Sequence, residues 1–121
     1  MINLTVKPSR DTYLYCYWQD ETNKITRFFP NRFTADALIK AENTFEIPGK
    51  MRYQLFANEK HLPEKVACFG ADRDVLSALP GNVKGTDFEP LQISSLDQVR
   101  EALVVANGGK IVTEVFDVKV Q

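Results

Sequence analysis

Alternation with a period of two residues dominates this chain, and it confines the fold to one built mainly from β-strands. Ile2, Leu4 and Val6 alternate with Asn3, Thr5 and Lys7 before Pro8-Ser9 closes the run. Thr12 to Trp18 is β-branched and aromatic, the composition of a strongly specified strand. Gln19 to Asn23 is polar turn material and Lys24 to Phe29 returns as a strand, so the two runs predict a hairpin. Pro30-Asn31 stops it, because proline cannot donate to a ladder and asparagine favours turns. Further on, the pattern predicts one helical turn at Thr34 to Ala37 and short strands at Leu38 to Lys40 and Thr44 to Ile47. An alternating strand is expected at Met51 to Ala57 and another at Glu64 to Gly70.

The period then changes. Asp72 is placed to cap a short helix burying Val75, Leu76 and Leu79 and ending at Pro80-Gly81. Residues 81 to 90 read as a loop. Ser94 and Ser95 open the one long helix. Its capping-box spacing is Ser95 with Gln98 or Ser94 with Asp97, its apolar stripe is Leu96, Val99 and Leu103, and its stop is Gly108-Gly109. Ile111 to Val120 is expected to be a final long strand. The reading is a mostly β, sandwich-like fold of seven or eight strands with one clear C-terminal helix before the last strand, and the 121 residues are expected to form a single domain.

Fifteen basic residues balance sixteen acidic ones, giving a formal net charge of -1. That balance gives no reason to expect nucleic acid as a partner. No apolar run approaches the length of a membrane span, and the N-terminus lacks the basic and apolar regions of a signal peptide.

Candidate chemistry is sparse. His61, the one histidine, lies in a polar loop with no second group at the spacing of a triad or a zinc site. No phosphate loop, nucleophile elbow or metalloprotease motif occurs. Asp72 and Asp74 flank Arg73, which reads as a cap and a dipole partner rather than a metal site. Neither a metal nor a cofactor is expected, and no catalytic residue can be named.

Three features remain. Tyr13, Tyr15 and Tyr17 point to one face of their strand and Leu14, Cys16 and Trp18 to the other. Exposed, a tyrosine row about 7 Å apart would form a stacking platform for sugars or peptides; the competing arrangement, which the pattern favours, has the long helix or another sheet covering it. Phe28-Phe29-Pro30-Asn31-Arg32-Phe33 is the densest local cluster, with Arg32 able to fork onto a carboxylate or, as the less favoured use, to clamp an anion. Arg32 is expected to lie close to Glu64. Cys16 and Cys68 each sit mid-strand among apolar neighbours, and the residues leave two arrangements open: two core thiols, or one bridge between strands.

The chain resembles the bacterial "domain of unknown function 4384" family. The resemblance rests on Tyr13-Leu14-Tyr15-Cys16-Tyr17-Trp18, Ile25 to Phe33, Ile47-Pro48-Gly49, Glu64 to Phe69 and Val118-Lys119-Val120, and so extends over nearly the whole chain. It implies an accessory, non-catalytic module at the C-terminal end of a larger bacterial protein, often outside the cytoplasm, with no known ligand. Companion parts in that family include lipoproteins, kinases with extracytoplasmic parts and peptidases. The leading expectation is therefore a domain that binds a protein partner in the periplasm or cell envelope, with a cytoplasmic location as the alternative. A glycan- or small-ligand-binding module using Tyr13, Tyr15 and Tyr17 is the second reading, and an enzyme the least favoured. An envelope location would preserve a Cys16–Cys68 bridge, for which two strands facing each other across a sandwich, with Trp18 beside them, are the expected setting.

Overall fold

The computed structural model describes residues 2–20, 22–47, 65–93, 95–110, 113–115 and 118–120. The expected strand at Met51 to Ala57, the loop with His61, and Glu64 lie outside them. The described residues form eight strands: β1 (Ile2–Val6), β2 (Thr12–Gln19), β3 (Ile25–Phe29), β4 (Leu38–Ile39), β5 (Phe45–Ile47), β6 (Lys65–Ala71), β7 (Thr113–Val115) and β8 (Val118–Val120). One helix is substantial, α2 (Leu96–Ala106), and a single turn, α1 (Gly81–Lys84), precedes it. The mostly β fold with one clear C-terminal helix is the one that the alternation predicts.

The strands divide into two antiparallel sheets. The larger runs β3-β2-β6-β7, with β4 pairing the start of β2; the smaller runs β5-β1-β8. β2 is the axis of the larger sheet, pairing with β6 from Tyr13↔Ala71 through Gln19↔Lys65. Both of its faces are covered. On one side Leu14, Cys16, Phe28, Phe29, Ile39 and Cys68 pack with Val6 of the smaller sheet, and the Phe29 and Phe45 rings meet across the sheets at 5.1 Å. On the other side Tyr15, Tyr17, Ile25 and Phe69 pack beneath Val99 and Leu103 of α2, with Val75, Leu79 and Val83 closing the layer. The result is three layers: small sheet, large sheet, helix.

Local chemistry explains the elements. In the β2–β3 turn, Asp20 Oδ1 accepts from the Thr22 and Lys24 amides at 2.8 and 3.0 Å. The β2–β3 register shifts between Cys16 and Tyr17, which leaves Phe28 as an extra residue. Such a bulge breaks strict alternation, and Phe28 and Phe29, consecutive in sequence, consequently both enter the core between the sheets. Ser95 caps α2 by accepting from the Asp97 amide at 3.1 Å. At the far end Gly108 and Gly109 take φ of 73° and 80°, a left-handed backbone that suits glycine, and the Gly109 amide donates to the Val104 carbonyl. Arg73 Nη2 donates to the Ala106 carbonyl at 2.9 Å, placing a cation where the helix dipole favours one.

Three expectations are corrected. Thr34 to Ala37 is not helical; the Asn31 side chain accepts from the Thr34 amide, Asp36 from that of Leu38, and the Ala37 carbonyl from the Leu14 amide. These bonds hold the segment along β2 instead of letting it coil. The helix expected after Asp72 is only a 3-10 turn at Leu76–Ala78, whose N-cap residue Val75 offers no side-chain acceptor. Its first free amide is met by Asp74, which accepts from Leu76 at 3.2 Å, while Asp72 faces Arg10 and Lys110. The final strand is two: β7 pairs with β6 in the large sheet and β8 with β1 in the small one, so the chain crosses between layers within residues 113–120.

Leu103 is fully buried where α2 meets β2 and β6. Leu103→Ala should cost about 2–5 kcal/mol, the range for emptying a packed leucine site, read as a lowered urea midpoint with an unchanged slope. A midpoint equal to that of the unsubstituted protein would mean α2 does not roof the sheet.

Candidate functional site

Of the residues singled out in the sequence, His61 and Glu64 lie outside the described ones; the tyrosines, Arg32, Asp72, Asp74 and the two cysteines lie within them. The tyrosine row is not a platform. Tyr15 and Tyr17 are fully buried and Tyr13 is half-buried, because α2 and the 75–91 segment lie over that face of β2. The Tyr15 hydroxyl donates to Asp74 Oδ1 at 2.9 Å and accepts from the Val75 amide at 2.8 Å. Burial pushes the phenols of both Tyr15 and Tyr17 well above the ordinary tyrosine value, so neither is a source of phenolate at neutral pH. Tyr15 therefore fastens the chain after β6 onto β2. Its partner Asp74 sits where the sequence predicts a helix-dipole residue, and no local spacing links two residues 59 apart.

Arg32 is also committed within the fold. Its Nη2 and Nε donate to the two carboxylate oxygens of Asp87 at 3.1 and 3.2 Å, and its backbone amide donates to Oδ2 at 2.7 Å. Among the described residues the carboxylate partner is Asp87, from a stretch the sequence pattern reads as a loop; Glu64 lies outside them. The two members are unequal: the Arg32 side chain is 58% exposed and that of Asp87 11%. The guanidinium beside it holds the Asp87 carboxyl below its usual range, against a smaller opposing effect of burial. A forked arginine already matched to a carboxylate is a poor clamp for a free anion.

This pair belongs to a larger clasp. Asn31 accepts from the Phe33 amide at 2.8 Å and donates to the Phe28 carbonyl at 2.8 Å, the self-bonded turn its sequence position predicts. Arg27 is buried, with Nε donating to the Pro30 carbonyl at 3.2 Å and Nη1 donating to the Lys84 carbonyl. The Phe88 and Leu91 amides donate to the Arg27 and Ile25 carbonyls, so residues 88–91 lie along the outer edge of β3. Arg32 Cζ stands 5.5 Å over the Phe88 ring, and Phe33, 44% exposed, lies 6.2 Å from that ring. The Phe-Pro-Asn-Arg-Phe cluster thus anchors a long connection; Phe33 and Arg32 form its outer rim.

Cys16 and Cys68 are directly opposed on β2 and β6, with Cα atoms 4.1 Å apart and the sulfurs bonded. Both residues are buried, at 0% and 2% exposure. The bridge lies within one sheet rather than between two, correcting the expected setting. Neighbouring strands sit about 4.8 Å apart and packed sheets about 10 Å, and the pairing register already sets these two residues side by side. In the chain-entropy model, joining residues separated by 52 positions stabilises by about 4 kcal/mol.

Among the described residues, one surface region is concave. A shallow groove of about 390 Å³ runs beside α2, lined by Ala78, Pro80, Val83, Ile93, Ala102 and Val105 among others, with Gln98 and Glu101 at its polar margin. Val105 is 77% exposed. Its apolar lining comes from three separate segments, so no local motif in the sequence marks it. Among the described residues, no helix is long and apolar enough to cross a membrane.

These features define a class: a two-sheet β-sandwich module roofed on one side by a helix and fastened by a disulfide in its central strand pair. The chain belongs to the family described as Domain of unknown function (DUF4384), whose sequence pattern matches residues 1–73, more than half of the 121. The match spans β1 to β6 and stops before α2, β7 and β8, so it is narrower than the near full-length resemblance read from sequence. No curated protein and no solved structure matches the chain.

Asp87 supplies a pH test. A carboxyl held low in the folded state contributes stability that is present above the unfolded value, near pH ~3.9, and lost as pH falls through the folded value. Asp87→Asn should lower the urea midpoint at pH 7 and flatten its decline below about pH 4. Parallel pH profiles for the two proteins would show that Asp87 carries no such linkage.

Proposed function

We propose that this chain is a non-catalytic accessory domain of a bacterial envelope- or secretion-related protein, and that it binds a protein partner through the groove beside α2. The observation that carries the reading is that groove: an apolar floor with a strongly exposed Val105, the kind of surface that marks interaction sites. The buried Cys16–Cys68 bridge supports the compartment, because disulfides persist in oxidising surroundings and are rare where thiols are kept reduced.

The non-catalytic part of the reading is supported by where the chemically able side chains lie. Tyr15, Asp74, Arg27, Arg32 and Asp87 are all engaged within the fold, and none of them pairs a nucleophile with a base. Balanced charge supports a protein rather than a nucleic acid as partner. The glycan reading loses its basis, because Tyr15 and Tyr17 offer no ring face to solvent.

The test uses a photo-crosslinking residue at position 105, and separately at 102, in the full-length parent protein within its own cells. The expected result is one discrete crosslinked protein from both positions, and none from position 22 in the β2–β3 turn. Val105→Asp should abolish capture from position 102 while leaving the melting temperature within a few degrees, as befits an exposed site. No product from either groove position would reject the groove as the binding surface.

A further inference from the structure

We infer that the Cys16–Cys68 bridge is a sealed lock, set when the domain folds and exchanged with thiols only when the two sheets part, and is not a switch read by the surrounding thiol pool. Both sulfurs lie on the face of the large sheet that the small sheet covers, in one cluster with Val6, Leu14, Phe28, Phe29 and Ile39. The fully packed members of that cluster are at most 5% exposed, and the partly buried Trp18, Phe45, Val66 and Phe88 pack around them. The strands that carry the cysteines are interior to their sheet, with β3 and β4 flanking β2 and β7 flanking β6. Neither a lateral nor a facial approach to the sulfurs is open among the described residues.

Thiol–disulfide exchange requires that access. A reductant thiolate attacks one sulfur along the S–S axis, the S–S bond breaks, and the other cysteine leaves as a thiolate that takes up a proton. With dithiothreitol, its second thiolate then attacks the mixed disulfide and expels the first cysteine. The balance is one dithiol oxidised to a cyclic disulfide and Cys16 and Cys68 reduced to two thiols. Each attack needs an unobstructed line to sulfur, so the rate in the native protein is limited by opening of the core. This inference concerns the bridge alone. A bridge that reduced quickly could still form in an oxidising compartment, so its failure would leave the partner-binding reading standing, and the crosslinking result leaves the lock untouched.

The experiment is a time course of dithiothreitol reduction of the native protein, quenched with an alkylating agent and read by intact mass. Reduction is expected to be slower by about a hundredfold or more than for the same protein unfolded in urea, because opening of a packed core is rare. It should accelerate steeply in urea concentrations below the unfolding midpoint. Val6→Ala, which thins the covering sheet, should speed reduction about tenfold, whereas Glu89→Gln on the exposed loop should not. Native reduction within a few fold of the unfolded rate and indifferent to urea would overturn the inference. So would two alkylated cysteines in protein never exposed to reductant.

Discussion

The pairing of β2 with β6 is the contact on which everything else in this structure rests. It is the longest strand pair, it carries the disulfide at its midpoint, and its two faces are the floors of both hydrophobic layers. A strand buried on both faces cannot alternate apolar with polar residues, and β2 does not. Its tyrosines take one side, and Leu14 and Cys16 take the other. The phenol oxygen of Tyr15 is reconciled with burial by two hydrogen bonds, the condition under which a polar atom is tolerated in a core.

Around that axis the described polar side chains act as fasteners. Tyr15 with Asp74 holds the segment leaving β6. Arg27, Asn31, Arg32 and Asp87 hold the connection from α1 against the outer edge of β3. That clasp solves a physical problem. An edge strand exposes a row of unpaired backbone groups, and residues 88–91 occupy part of the row on β3. Arg27, although buried, has carbonyls to donate to, and Asp87, although nearly covered, has the Arg32 fork. Among the described residues, Tyr15, Arg27, Arg32, Asp74 and Asp87 are thus all committed to structure.

Surface shape is the feature on which the proposed binding role rests. The groove beside α2 is lined by residues of α1, of the 3-10 turn at Leu76–Ala78 and of α2. The family match ends at residue 73, so the groove is built from the part of the chain that lies beyond it. A binding role there would belong to this chain's own C-terminal segment rather than to the shared strands.

Sequence by itself determined the strand-rich class, the β2–β3 hairpin, the short strands β4 and β5, and α2 with its Ser95 cap and glycine stop. Each of these is written in contacts between residues a few positions apart, where period, capping and turn chemistry act. It also marked Cys16 and Cys68 as interior residues. Tertiary structure decided the rest. It settled which face of β2 meets which layer, that the two cysteines are neighbours within one sheet, that Arg32 pairs with Asp87, and that the last strand divides between the two sheets. Those outcomes depend on register and on contacts more than fifty residues apart for the cysteines, Arg32 and Tyr15. Periodicity carries no information about partners at that distance, because the same alternating pattern satisfies many pairings until packing selects one.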